Sequence, residues 1–237
     1  MMGRLTIVVD NYPRDKRLKR DWGFSAYIED GSIKLLFDLG NRSEIFMHNV
    51  KALGIDLSMI DCLVISHPDY DHVGGLDEFL VKNKKAGVFV PEGFDIDMID
   101  KMEKSGHEVF VSKEPMDVCG RFKITGPVTP STRPEHSLFF EGEGGVWIVA
   151  GCSHPKPWNI INKVKEIAGK TPYVYIGGYH FFRMFNDELQ QAVRKVRDTK
   201  IEKVAPCHCT GEEGRRLFKE VFDKDYIEVG VGSVLEF

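Results

Sequence analysis

His67-Pro68-Asp69-Tyr70-Asp71-His72 sets four side chains able to coordinate a metal within six consecutive positions, and Val73-Gly74-Gly75 follows at once. Imidazole and carboxylate together suit zinc, manganese or iron. Ligands at i, i+2, i+4 and i+5 scatter around a helix, whereas a loop leaving a strand can turn them toward two neighbouring ions. The spacing therefore predicts a loop and room for two ions. A ligand cluster this dense ahead of a Gly-Gly turn seldom arises without a site to serve.

The apolar run Cys62 to Ser66 predicts the strand from which the loop departs, and the same arrangement recurs three times. His154, His180 and His208 each stand just past an apolar run, at Val146 to Ala150, Tyr173 to Ile176 and Lys203 to Pro206. Loops at the carboxyl ends of strands in α/β sheets converge on a crevice, so these histidines are expected to meet. Any one alone reads equally well as a hydrogen-bonded loop residue; of the eight histidines only His48, His107 and His136 fall outside these ends or the adjacent His72.

Further out, Leu5 to Val9, Phe24 to Ile28 and Ile33 to Phe37 predict an opening set of antiparallel strands. Ser43 is expected to cap a helix whose apolar residues Ile45, Phe46, Val50 and Leu53 precede Gly54. Helices at 75–84 and 95–105 then alternate with strands at 87–90 and 108–111, an α/β pattern. The second half resembles the first: strands at 122–125, 137–140 and 146–150, then helices at 158–168, 187–198 and 212–222 between the later strands, with a closing strand near Ile227. Nothing marks a domain boundary across the 237 residues, so one domain, 1–237, is expected.

Hydrophobic residues make up 42% and charged residues 29%, the balance of a globular chain without an apolar run long enough to span a membrane. Met1 to Asp10 turns acidic too soon for a signal peptide, which with five cysteines, an odd number, argues for reduced thiols and a cytoplasmic location. Lys and Arg number 32 against 36 Asp and Glu, a net charge of -4, so no nucleic-acid partner is expected and the substrate is a small molecule.

The cluster, with its strand and the later ligand-bearing strand ends, resembles the metallo-β-lactamase superfamily, whose hallmark is His-x-His-x-Asp-His. Asp69 stands here where the second His would be. Within that superfamily the chain is similar to a branch of dihydropterin-linked synthase-like proteins. Val9-Asp10-Asn11, Phe37 to Gly40, Gly151-Cys152-Ser153-His154, Ile176 to His180 and Cys207-His208-Cys209-Thr210-Gly211 carry that likeness. Asp21-Trp22 departs from the Glu-His usual in the branch. The resemblance implies a four-layer αββα sandwich with the metal site at one edge, between two sheets.

It also implies ligand roles: His67, Asp69 and His154 for one divalent ion, and Asp71, His72 and His208 for another, with Asp71 and His180 serving the chemistry. An oxygen donor at Asp69 hardens the site and is expected to shift preference from zinc toward iron or manganese. Cys152 stands where the superfamily places a ligand, or is a small buried residue; Asp38 orients a ligand imidazole, or caps the turn before Gly40. The Cys207/Cys209 pair lacks the matching pair that a separate structural zinc site needs. The basic run Arg14 to Arg20 is either a phosphate attractor or a solvated loop. Phe181, Phe182, Met184 and Phe185 line a substrate wall or belong to the core. A hydrolase of a small ester, lactone or phosphodiester is the leading expectation, with a dihydropterin-linked transferase, a di-iron redox protein and a metal-binding sensor as the others.

Overall fold

The computed structural model describes residues 2–237. In chain order the strands are β1 (Arg4–Val9), β2 (Ser25–Asp30), β3 (Ile33–Phe37), β4 (Cys62–Val64), β5 (Gly87–Pro91), β6 (Val109–Ser112), β7 (Met116–Cys119), β8 (Phe122–Ile124), β9 (Leu138–Gly142), β10 (Gly145–Ala150), β11 (Val174–Gly178), β12 (Lys203–Cys207) and β13 (Val234–Glu236). The helices are α1 (Ser43–Ala52), α2 (Tyr70–Val73), α3 (Leu76–Lys82), α4 (Ile96–Lys104), α5 (Pro157–Ala168), α6 (Asn186–Asp198) and α7 (Glu212–Phe222).

Two sheets form, in the orders β13-β1-β2-β3-β4-β5-β6 and β12-β11-β10-β9-β8-β7. Side-chain alternation on each strand separates three apolar layers. Leu5, Ile7, Leu35 and Phe37 face Phe140, Trp147, Val149, Val174 and Ile176 between the sheets. Their neighbours point outward: Val8, Leu36 and Leu63 meet Phe46 of α1 and Phe79 of α3. On the other side Val146, Ile148 and Tyr175 meet Ile160 of α5, Val193 of α6 and Phe218 of α7. Strands buried on both faces read as continuous apolar runs, which is why the central ones were legible. The result is the αββα sandwich.

Strand direction decides where the site falls. β3 and β4 are parallel, β1 runs their way because β2 is antiparallel to both its neighbours, and β10, β11 and β12 are mutually parallel. The carboxyl ends of β1, β3, β4, β10, β11 and β12 therefore lie at one edge, the geometry that concentrates loops in a crevice.

Several local expectations are corrected. The cluster does not run as a loop throughout: Tyr70–Val73 makes one helical turn, with the His72 N–H donating to the Asp69 carbonyl at 2.9 Å. Arg42, not Ser43, is the N-cap of α1, and no side chain caps it. The segment at Ile227 forms no ladder strand; the Ile227 N–H donates to the Val204 carbonyl, and the closing strand is β13, paired with β1. β7, Asp-bearing and half-exposed, carries too weak an apolar pattern to read from sequence. No helix among the described residues is long and apolar enough to cross a membrane.

Two consequences of the packing are measurable. Gly74 lies against the α1 approach, where an added β-carbon would sit 1.7 Å from the Asn41 carbonyl oxygen. Backbone cannot yield there as a side chain would, so Gly74→Ala is expected to lower the unfolding free energy by on the order of 3 kcal/mol in denaturant titration. His136 is fully buried beside Ser112 Oγ, 2.8 Å from its Nδ1, and burial lowers its pKa from 6.5 to about 3. The unfolded chain then binds a proton that the folded chain refuses, so this contribution to stability is present above pH 6.5 and lost as pH falls from there toward about 3. The stability advantage of the wild type over His136→Gln should shrink by about 2 kcal/mol between pH 7 and pH 5; a constant difference would show that His136 titrates normally.

Candidate metal centre

The ends of β4, β10, β11 and β12 bring His67, His72, His154, His180 and His208 to one place, with Asp71 and Cys152 among them. The His67 and His72 ring centroids are 4.1 Å apart, His67 and His154 4.9 Å, His72 and His208 5.0 Å, and His154 and His180 4.4 Å. Asp71, His72, Cys152 and His208 offer donor atoms all within 4.8 Å of one another, as do His67, Cys152 and His154. Cys152 Sγ is central, 3.3 Å from both His72 Nε2 and His208 Nε2. Asp71 Oδ2 stands 3.4 Å from His208 Nε2 and 3.9 Å from His72 Nε2. Asp69 Oδ2 lies 3.5 Å from His154 Nε2 and 3.7 Å from His67 Nε2, while its other oxygen meets Arg133 Nε at 3.4 Å.

Hydrogen bonds behind the rings fix their tautomers. Asp38, fully buried at the end of β3, accepts from Ser66 N and Ser66 Oγ at 2.7 Å and from His72 Nδ1 at 2.7 Å. The Ser66 hydroxyl has spent its proton on Asp38, so its contact of 2.8 Å with His67 Nδ1 is received from the ring. His208 Nδ1 donates likewise to Asn11 Oδ1 at 3.2 Å. Each of these three imidazoles carries a proton on Nδ1 and turns Nε2 toward the cluster, the orientation metal-binding histidines show. Asp38 thus takes the orienting role rather than the turn-capping one.

Charge follows the same plan. Burial disfavours the charged His72 ring, yet Asp38 outweighs it and raises the pKa to about 9, so a cation binding at Nε2 would displace a proton. Burial and then the neighbouring imidazoles hold His67 well below its usual range. For Asp71 burial pushes upward, but His208 and His72 win and keep the carboxylate ionised. Burial raises the Cys152 thiol; the adjoining Cys209, despite burial, is held low by Cys152, His208 and His180. The buried Nε2 atoms of His67 and His154 have no hydrogen-bond partner, a cost the fold sustains where a ligand is to be met. Nitrogen, carboxylate and thiolate donors converging in this way fit divalent cations.

The backbone is strained at the same places. Asp38, Ser153, His180 and His208 take φ values of 55°, 64°, 56° and 46°, left-handed conformations that each cost on the order of 1 kcal/mol and cluster at functional sites.

Three contributors had no role in the sequence reading. Glu135 is fully buried and accepts from the N–H groups of Cys152 and Ser153 through Oε1, at 3.0 and 2.7 Å, and of His154 through Oε2 at 2.6 Å, clamping the loop after β10. It sits in irregular chain between β8 and β9, where no local pattern reveals it. Asp10, whose pKa burial pushes up to about 6, accepts from the His208 N–H at 2.7 Å. Cys209 joins the cluster while Cys207 packs between the sheets, so the Cys-x-Cys pair is divided. Of the aromatic residues after β11, Phe181 belongs to the core, Phe182 stands edge-on to His180 at 5.4 Å and to Trp22 at 5.2 Å, and Phe185 is exposed. In the basic run, Arg17 pairs with Asp15 and Arg14 with Glu228.

A sandwich with histidines, an aspartate and a further donor at the edge between its sheets defines a class, and comparison agrees: the metallo-beta-lactamase superfamily profile matches residues 23–208, and the chain belongs to that superfamily. Among its relatives is the 7,8-dihydropterin-6-methyl-4-(β-D-ribofuranosyl)-aminobenzene-5'-phosphate synthase of Methanocaldococcus jannaschii, 25% identical over 260 residues, covering 90% of this chain and 88% of that one. A solved metal-dependent hydrolase of the β-lactamase superfamily superposes with a TM-score of 0.83 at 24% identity, covering 100% of this chain and 99% of the other. A diphosphatase from the PhnP family superposes at 0.66 with 16% identity, covering 100% and 98%.

Proposed function

We propose that the chain is a metal-dependent hydrolase of a small ester, lactone or phosphodiester, with two divalent cations held between His67, Asp69 and His154 on one side and Asp71, His72 and His208 on the other. The observation that carries this is the set of imidazole Nε2 atoms turned inward around Cys152 Sγ, which lies 3.3 Å from those of His72 and His208 and within reach of His67 and His154. The cations supply Lewis acidity and lower the pKa of water. The residues do the rest. Asp71, kept ionised, accepts a hydrogen bond from the attacking water and so aligns its lone pair on the electrophile. His180, half-exposed beside His154, protonates the leaving oxygen as its bond to the electrophilic centre breaks. Burial lowers its pKa, but the Cys209 thiolate outweighs burial and raises it, which suits a proton donor. Trp22 packs edge-on against both Phe182 and His208 beside the cluster.

Thiolate at the shared position counteracts the hardening by Asp69, so zinc or iron is favoured over manganese. The test is turnover of phosphodiester, lactone and ester probes by protein stripped with a chelator and then reloaded with zinc, iron or manganese. Hydrolysis that vanishes on stripping and returns with zinc or iron supports the proposal; no hydrolysis of any probe by protein holding two equivalents of metal overturns it. Near-complete coverage of the dihydropterin-linked synthase sustains a second reading, a transferase of the same fold, which predicts that loaded protein consumes a pterin substrate without releasing hydrolysis products.

A further inference from the structure

The paired centre leaves Cys209 without a task, although the fold goes to some length to bring it there. Cys209 follows the end of β12, is 1% exposed, and its Sγ lies 3.6 Å from the Cys152 carbonyl oxygen. It occupies space over Gly178 of β11, where a β-carbon would come within 2.5 Å of the sulfur. Gly177 is as confined: its β-carbon would lie 2.0 Å from the Ala150 carbonyl oxygen, and its φ is 130°. The Gly-Gly pair is what lets β11 pass close enough for a thiol from one neighbouring strand end to reach the thiol from the other. His180 stands beside the two sulfurs. Donor atoms of Cys152, His180 and Cys209 all lie within 4.8 Å of one another, and His180 Nδ1 is buried with no hydrogen-bond partner.

We propose that Cys152, His180 and Cys209 form a third cation position, thiophilic, joined to the pair through Cys152. Two sulfurs and one nitrogen make the softest donor set in the site, suited to a zinc-type d-block ion and unsuited to magnesium or calcium. Carboxylates stand close by to offset the charge: Asp38 meets His72, Asp69 meets His154 and Asp71 meets His208. The third position presupposes the paired centre proposed above. Filling it occupies His180, so the third ion opposes turnover: activity rises as the pair fills and falls as the third position fills.

The experiment is anaerobic titration of metal-stripped protein with cobalt(II), reading bound metal by elemental analysis and thiolate-to-cobalt charge transfer by absorbance. Wild type is expected to take up a third equivalent with a second rise in the charge-transfer band. Cys209→Ser, nearly the same volume, is expected to stop at two with only the first rise, and His180→Gln likewise to stop at two, whereas Cys119→Ser, a thiol remote from the site, matches wild type. Equal stoichiometry and equal bands in wild type and Cys209→Ser overturn the third position while leaving the pair standing. No uptake by wild type overturns both.

Discussion

Cys152→Ala is expected to lower kcat/KM by at least about 100-fold, the upper end of what loss of an outer partner of a metal ligand produces, with metal content falling in parallel. The reason is position. Cys152 Sγ is the one donor common to the three groups of converging side chains, so its loss is felt on every side at once. The backbone around it does not depend on the thiol, because Glu135 holds the N–H groups of Cys152, Ser153 and His154. Cys152→Ser is expected to recover part of the metal binding, since a hydroxyl fills the space with a harder donor. The checks are elemental analysis and turnover under matched metal concentrations; a fully loaded and fully active alanine variant would show that Cys152 is merely a small buried residue.

Asp38→Asn should have the second largest effect. Asparagine tolerates the left-handed backbone that Asp38 adopts, so the change leaves the chain path alone and isolates the charge. Three donors converge on this carboxylate, from Ser66 N, Ser66 Oγ and His72 Nδ1. An amide must turn its NH2 toward at least one of them. Breaking a buried charged pair in this way costs about 3–5 kcal/mol, and releasing the His67 and His72 tautomers should weaken metal binding by about 10–100-fold. Unfolding and competitive chelator titration read the two separately. Loss of stability with unchanged metal affinity would make Asp38 a folding residue only.

How much of this was legible in the sequence depends on whether the information is local. Central strands such as β3, β10 and β11 were visible because both faces are buried and the run is apolar throughout. His67, Asp71, His72, Cys152, His154 and His208 were legible as a group because each sits at or just beyond a strand whose end could be read. Glu135 was not, since its partners lie 17 to 19 residues away and are backbone atoms. Asp10 was quoted only as part of a motif, because its contact with His208 crosses 198 positions. The turn at Tyr70–Val73 was missed for a different reason: ligand spacing that scatters on a long helix is accommodated by a single turn. Cys209 fell outside because strand alternation would give both thiols of a Cys-x-Cys pair one face, whereas β12 ends at Cys207 and the turn at His208–Thr210 sends the second thiol elsewhere.

Every role assigned to these side chains depends on the metal centre itself. A crystal structure of protein loaded with zinc or iron, with anomalous scattering measured on both sides of the metal's absorption edge, tests it most directly. At two bound equivalents of metal two peaks are predicted, one among His67, Asp69 and His154 and one among Asp71, His72 and His208, with Cys152 Sγ adjoining both. Loaded crystals showing no anomalous peak at the edge of the sandwich, or peaks only at surface residues, would contradict it.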